Sequence, residues 1–137
     1  MVGKSFNFIR KSKSYQIYYD PKTIENNPIL LHSLELALMI DAYVIEIRNM
    51  KNWELARQLF KSGTSIGANV WEAQNNESRA DFLHKLKIAA KEANETQFWL
   101  TICTRSPNYP DCKSLMEKLV EIQKILNSII TKLKERK

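Results

Sequence analysis

Apolar residues recur at intervals of three and four along most of the chain, the period of one face of an α-helix. Four segments carry this pattern. The first, 28–50, opens on Pro28, which suits a first helical turn because its missing N–H would have no partner there. Leu31, Leu34, Leu38, Ala42 and Ile45 form one stripe, with Ile40, Val44 and Ile47 on its flank. A helix apolar around more than half its girth is expected to be buried on more than one side. The second segment, 52–74, places Trp53, Ala56, Phe60, Gly63, Gly67 and Val70 at helical spacing. Its two glycines each cost up to about 1 kcal/mol against alanine inside a helix. With Ser62, Ser65 and Ala68 they form a run of small residues, and close approach of another helix is the expected compensation.

In the third segment, 78–105, Ser78-Arg79-Ala80-Asp81 reads as a capping box with Asp in place of the usual Glu or Gln. Phe82, Leu86, Ala89, Ala93, Gln97 and Leu100 supply its stripe, and Pro107 and Pro110 close it. The fourth starts at Asp111, the expected N-cap, and runs almost to the end. Leu115, Leu119, Ile122, Leu126, Ile129 and Leu133 follow the spacing of a coiled-coil seam. Four long helices with short connections predict an all-α, antiparallel up-down four-helix bundle over residues 28–137. Residues 1–27 lack the helical period. Phe6, Phe8, Ile9, Tyr15, Ile17, Tyr18 and Tyr19 mingle there with basic residues, and Asp20-Pro21 and Asn26-Asn27-Pro28 punctuate as turns. This stretch reads as a basic, aromatic N-terminal arm that docks on the bundle or on a neighbouring subunit. Its interleaved aromatic and basic residues also leave base stacking open.

Composition adds size and charge. At 137 residues, 44% hydrophobic and 26% charged, the chain has the make-up of one ordinary domain. Three glycines and four prolines are too few for the turns of a many-stranded sandwich or barrel. The stretch Ile29 to Ile47 is interrupted by His32, Glu35, Asp41 and Glu46, so no membrane span is expected. No secretory signal follows the basic start, and a cytoplasmic location is expected by default. The net charge of +6 gathers at the ends. Lys4, Arg10, Lys11 and Lys13 come with no acid in the first thirteen residues, and 113–137 holds seven basic residues against Glu117, Glu121 and Glu135. Such ends favour RNA or DNA, or less readily an anionic membrane surface. Arg10, Lys11 and Lys13 on the arm and Lys124, Lys132, Lys134 and Arg136 on the last helix are the candidate nucleic-acid-binding residues. The plainer reading is a solvated basic surface.

Candidate chemistry is sparse. A di-iron bundle site needs Glu-x-x-His on two helices, and neither His32 nor His84 has a glutamate three residues before it. Glu92-x-x-Glu95 reads as surface charge. Cys103 and Cys112 lack the partners of a zinc site, and their spacing leaves thiols and a disulfide both open. No phosphate-binding glycine loop is present, and with two histidines any pairing with a cysteine is conceivable but none is signalled. Neither a metal, a cofactor nor an enzymatic activity is expected. The most unusual segment is 62–73, where Ser62, Ser65, Asn69 and Glu72 recur on one helical face. Either this face meets solvent, or Ser65, Asn69 and Glu72 form a buried polar network with the third helix, with Arg79 or Lys91 as partner of Glu72. The network is the preferred reading, since small residues beside the stripe imply close packing.

Ser65-Ile66-Gly67-Ala68-Asn69-Val70-Trp71-Glu72-Ala73 resembles the Ser-Ile-x-Ala-Asn-Ile-x-Glu-Gly signature of the four-helix bundle proteins encoded by intervening sequences in bacterial 23S ribosomal RNA genes. Residues 56–59 and Phe82-x3-Leu86-x2-Ala89-x2-Glu92-x2-Glu95 fit the same pattern, so the resemblance spans about 30–133. Ala73 departs from the usual Gly, and the long arm has no counterpart. The sequence is also similar to the accessory variability determinant of diversity-generating retroelements, a basic pentamer that binds nucleic acid and a reverse transcriptase. The resemblance implies a homo-oligomer, a pentamer, with RNA or DNA and a reverse transcriptase or other protein as partners, and no enzymatic activity. A structural or protein-interaction scaffold is the alternative.

Overall fold

The computed structural model describes residues 21–136, and they fold into helices α1 (Pro21–Glu25), α2 (Pro28–Asn49), α3 (Trp53–Ala73), α4 (Arg79–Arg105) and α5 (Lys113–Glu135). The four long helices are the predicted bundle. α1 is an addition: the tail of the stretch read as an irregular arm closes one short turn and buries Ile24. Long-range contacts give the topology. Ile40 and Ser33 of α2 face Gly63 and Gly67 of α3. Ser62 meets Thr96 between α3 and α4, Gln123 meets Asn94 and Gln97 between α5 and α4, and Tyr43 of α2 reaches Pro110 just before α5. Each neighbouring pair therefore runs antiparallel, in an up-down-up-down square with α2 and α4 on one diagonal.

Local chemistry explains the ends. Asn27 caps α2 by accepting from Leu30 N–H, and Asn52 caps α3 by accepting from Leu55 N–H. Ser78 accepts from Asp81 N–H, while the Asp81 carboxylate accepts from Glu77 N–H, one residue earlier than a standard capping box would have it. α2 ends in a Schellman turn: Lys51 N–H donates to Arg48 C=O and Asn52 N–H to Ile47 C=O, with Lys51 at φ 65°. The expected cap of α5 is corrected. Asp111 is exposed and stops one residue short, and Cys112 takes the N-cap position without capping by its side chain. Its thiol lies 3.2 Å from Thr104 Oγ1 and 3.6 Å from Leu100 C=O instead.

The core is apolar and closely packed. Leu36, Ile40, Val44 and Ile47 of α2 meet Leu59, Ile66 and Val70 of α3, Leu86 and Leu100 of α4, and Leu119, Ile122 and Leu126 of α5. The α5 seam is buried as expected from Leu115 to Leu126, and Ile129 and Leu133 are half-buried. α4 turns Thr96 inward where Gln97 was expected. On α2 the two apolar stripes exchange roles. The flanking set, Ile40, Val44 and Ile47, is fully buried, whereas Leu34, Leu38, Ala42 and Ile45 face outward. The reason lies opposite, on α3. A Cβ on Gly63 would stand only 3.0 Å from Ile40 Cγ1, and one on Gly67 3.4 Å from the Ser33 carbonyl, so the stripe facing the glycines approaches most closely and buries most. By length and composition α2 could also cross a membrane, with mean hydropathy 1.6. Burial of one stripe in the bundle and exposure of the other account for that apolarity here.

Candidate functional site

The polar stripe of α3 does not form the expected network. Ser65 Oγ–H donates to Lys61 C=O at 2.6 Å and Asn69 Nδ2–H to Ser65 C=O at 2.8 Å, both within their own helix. Glu72 is exposed and pairs at 3.0 Å with Lys85, not with Arg79 or Lys91. Arg79 donates instead to Leu133 C=O in the last turn of α5. The rotation of α3 that points Ser62 inward carries Ser65 and Glu72 toward the rim. Ser62 is the buried member of the stripe, and it accepts from Thr96 Oγ1–H at 3.0 Å.

Between α2 and α5, Lys118 Nζ lies 2.8 Å from Glu35, 3.5 Å from Glu121 and 3.1 Å from His32 Nδ1. The Lys118 ammonium holds the Glu35 carboxyl below its ordinary range, and Glu35 holds Lys118 above its own. This is a cross-helix clamp that brings its own cation. Among the described residues, no three His, Cys, Asp or Glu side chains converge as metal ligands. Cys103 and Cys112 are free thiols, both buried, and burial pushes the Cys103 thiol up, away from the thiolate a nucleophile needs. They border a cavity of about 660 Å³ under the α4–α5 connection, with Arg105, Tyr109, Asp111 and Met116 also on its walls.

The surface chemistry differs between the two sides. Over α2 and α3 the surface exposes large apolar side chains, with Asp41, Glu46, Glu54, Arg57 and Lys61 exposed among them. Leu38 is 63% exposed, Ile45 50% and Trp53 63%, and Leu34 stands at the edge of a shallow groove of about 220 Å³ whose floor includes Gly67, Ala68 and Trp71. Over α4 and α5 lysines and amides predominate, with Glu95, Glu117 and Glu121 also exposed. The outward stripe of α4 reads His84, Lys87, Lys91, Asn94, Phe98, Ile102 and Arg105, all exposed and none acidic. Ala90 and Asn94 share a groove of about 330 Å³ with Val120, Gln123, Lys124 and Asn127 of α5.

The candidate nucleic-acid residues divide accordingly. Lys124, Lys132, Lys134 and Arg136 are all exposed. At 3.6 residues per turn the three lysines spread over roughly 160° of the helix, so they make no single stripe. Lys124 joins the α4–α5 groove, and Lys132 and Lys134 sit in the last turn, where cations also complement the helix dipole. Arg10, Lys11 and Lys13 lie outside the described residues. Lys87 and Lys91 were missed as candidates. Their signal was available in the helical spacing 84-87-91-94-98, but their charges lie mid-chain, away from the basic ends.

Comparison with known proteins places this bundle. Among curated proteins none matches the chain. A crystal structure of a protein of unknown function from the S23 ribosomal protein family of Bacteroides thetaiotaomicron VPI-5482 is similar, with a TM-score of 0.70 and 42% sequence identity. The match covers 74% of this chain and 97% of that one. The family model described as 23S rRNA-intervening sequence protein matches residues 25–128. That span takes in α2, α3 with its signature, α4 and the first two-thirds of α5, and the chain belongs to the family of 23S rRNA-intervening sequence proteins.

Proposed function

We propose that this protein is a non-enzymatic assembling bundle that packs copies together through its α2–α3 face and binds nucleic acid through its α4–α5 face. The observation that carries the reading is a pair of surfaces: Leu34, Leu38 and Ile45 expose an apolar stripe along α2, while Lys87, Lys91, Lys124, Asn94 and Asn127 expose lysines and amides on α4 and α5, where Phe98 and Val120 are exposed among them. An exposed apolar patch of this kind on a monomer is uncommon and marks an interaction surface. A heterologous contact that closes into a ring covers it in every copy. With five copies, the number implied by the family resemblance, the charge of +6 becomes about +30, repeated around one rim. Light scattering is expected to give a mass several times 16.0 kDa, and Leu38→Glu with Ile45→Glu to reduce it toward the monomer. A monomeric wild type at micromolar concentration refutes the assembly half. The binding half predicts that anisotropy titrations with RNA and DNA weaken steeply between about 50 and 200 mM salt. Absence of binding at the lower salt refutes it and leaves a scaffold that acts by protein contacts alone.

A further inference from the structure

We infer that the α4–α5 face is built for single-stranded nucleic acid, with a base stacked on Phe98 and phosphates held by Lys91 and Lys124. This rests on the nucleic-acid reading above and specifies its ligand. Phe98 is 58% exposed, the most exposed phenylalanine among the large apolar side chains of the described residues, and it occupies the same outward stripe as Lys87, Lys91 and Asn94. It is also braced. Its ring meets Trp99 edge-on, with centroids 5.0 Å apart and planes at 70°. Trp99 in turn packs on the core and donates its indole N–H to Glu95 at 3.1 Å. An exposed ring held by an edge contact to a packed neighbour presents a stacking platform at reduced ordering cost.

The surroundings complete the match. Gln123 Nε2 lies 3.4 Å from Asn94 Oδ1 and 2.9 Å from Gln97 Oε1, which sets the register of α5 on α4. In that antiparallel register Val120 falls level with Phe98, and Lys124 falls level with Asn94, one turn from Lys91. Lys124 and Val120 line a groove with the Asn94, Gln123 and Asn127 amides, and Asn94 joins that groove to the outward stripe of α4 on which Lys91 and Phe98 are exposed. Cations along a groove with an aromatic platform are what strand binding without base pairing requires, since any base offers a π-face. A duplex hides its base faces and would leave Phe98 and Val120 uncovered.

The test uses the full-length chain with labelled single-stranded and duplex oligonucleotides of equal length, read by anisotropy, with oligomer mass followed by light scattering. Single strands are expected to bind more tightly than duplex. Phe98→Ala is expected to weaken single-strand binding about five- to a hundred-fold while leaving duplex binding and oligomer mass unchanged, and Phe98→Trp to retain it. Lys91→Glu with Lys124→Glu is expected to weaken both and to flatten the salt dependence. Circular dichroism checks that each variant keeps its helix content. Equal binding of both forms that is insensitive to Phe98→Ala but lost with the lysines overturns this inference and leaves the broader nucleic-acid reading intact. A fall in oligomer mass on Phe98→Ala also overturns it, because Phe98 is then an assembly contact. No binding of any oligonucleotide overturns both.

Discussion

Gly63 and Gly67 stand one turn apart on the same helix, yet replacing each by alanine is expected to change stability in opposite directions. Alanine gains up to about 1 kcal/mol over glycine in a helix interior. At Gly67 the new Cβ would meet Ser33 at 3.4 Å from its carbonyl oxygen and 3.6 Å from its Cβ, ordinary contact distances, so Gly67→Ala keeps most of that gain. At Gly63 it would lie 3.0 Å from Ile40 Cγ1 and 3.2 Å from both Cγ2 and Cδ1. Ile40 is fully buried and β-branched, hence slow to yield. Overpacking of this kind costs about 1–3 kcal/mol, so Gly63→Ala nets a loss of roughly 0–2 kcal/mol after the helix gain. Thermal unfolding by circular dichroism at fixed protein concentration should place Gly67→Ala above the wild type and Gly63→Ala below it, separated by about 3–10 °C. In an Ile40→Ala background the overlapping atoms are gone, and Gly63→Ala should become stabilising. If Gly63→Ala raises the melting temperature as much as Gly67→Ala does, the claim that this glycine sets the α2–α3 approach is wrong.

Three further outcomes follow from single residues. Lys51 sits at φ 65°, where a side chain costs about 1 kcal/mol, so Lys51→Gly should raise the melting temperature by roughly 1–4 °C; a decrease would show that the Lys51 side chain contributes more than its backbone conformation costs. Tyr43 donates its hydroxyl to Pro110 C=O at 2.7 Å and pins the α4–α5 connection, so Tyr43→Phe should lose about 1–2 kcal/mol in urea unfolding, and an unchanged midpoint would refute the tie. Lys118 depresses the Glu35 pKa from its ordinary 4.5, so this carboxylate adds stability above that value and loses it as pH falls through its lower folded value. Melting curves from pH 6 to about 3 should therefore fall less for Glu35→Gln than for the wild type, and parallel curves would count against the clamp.

The helices were legible in the sequence because their signals are local. Apolar spacing of three and four, Pro28 at a first turn, Ser78 before α4 and the regular seam of α5 each act within a turn or two, and no distant partner is needed to read them. The bundle followed from helix length and loop length, and the family from one nine-residue signature on α3. The orientation of each helix about its own axis was not legible in the same way. α2 carries two apolar stripes of similar strength, and only contact with Gly63 and Gly67 decides that Ile40, Val44 and Ile47 go inward while Leu34, Leu38 and Ile45 remain outside. The same rotation moved the buried polar contact from Asn69 and Glu72 to Ser62 and Thr96, a pairing between residues 34 positions apart. Asp111 looked like a cap until the loop before α5 gave that place to Cys112, whose thiol faces α4. The basic face depended on tertiary structure most of all. Lys91 and Lys124 belong to different helices, and the antiparallel register set by Gln123 is what puts Lys124 level with Asn94, one turn from Lys91. Periodicity specifies which residues share a face of one helix; which faces meet is decided by how closely two backbones can approach.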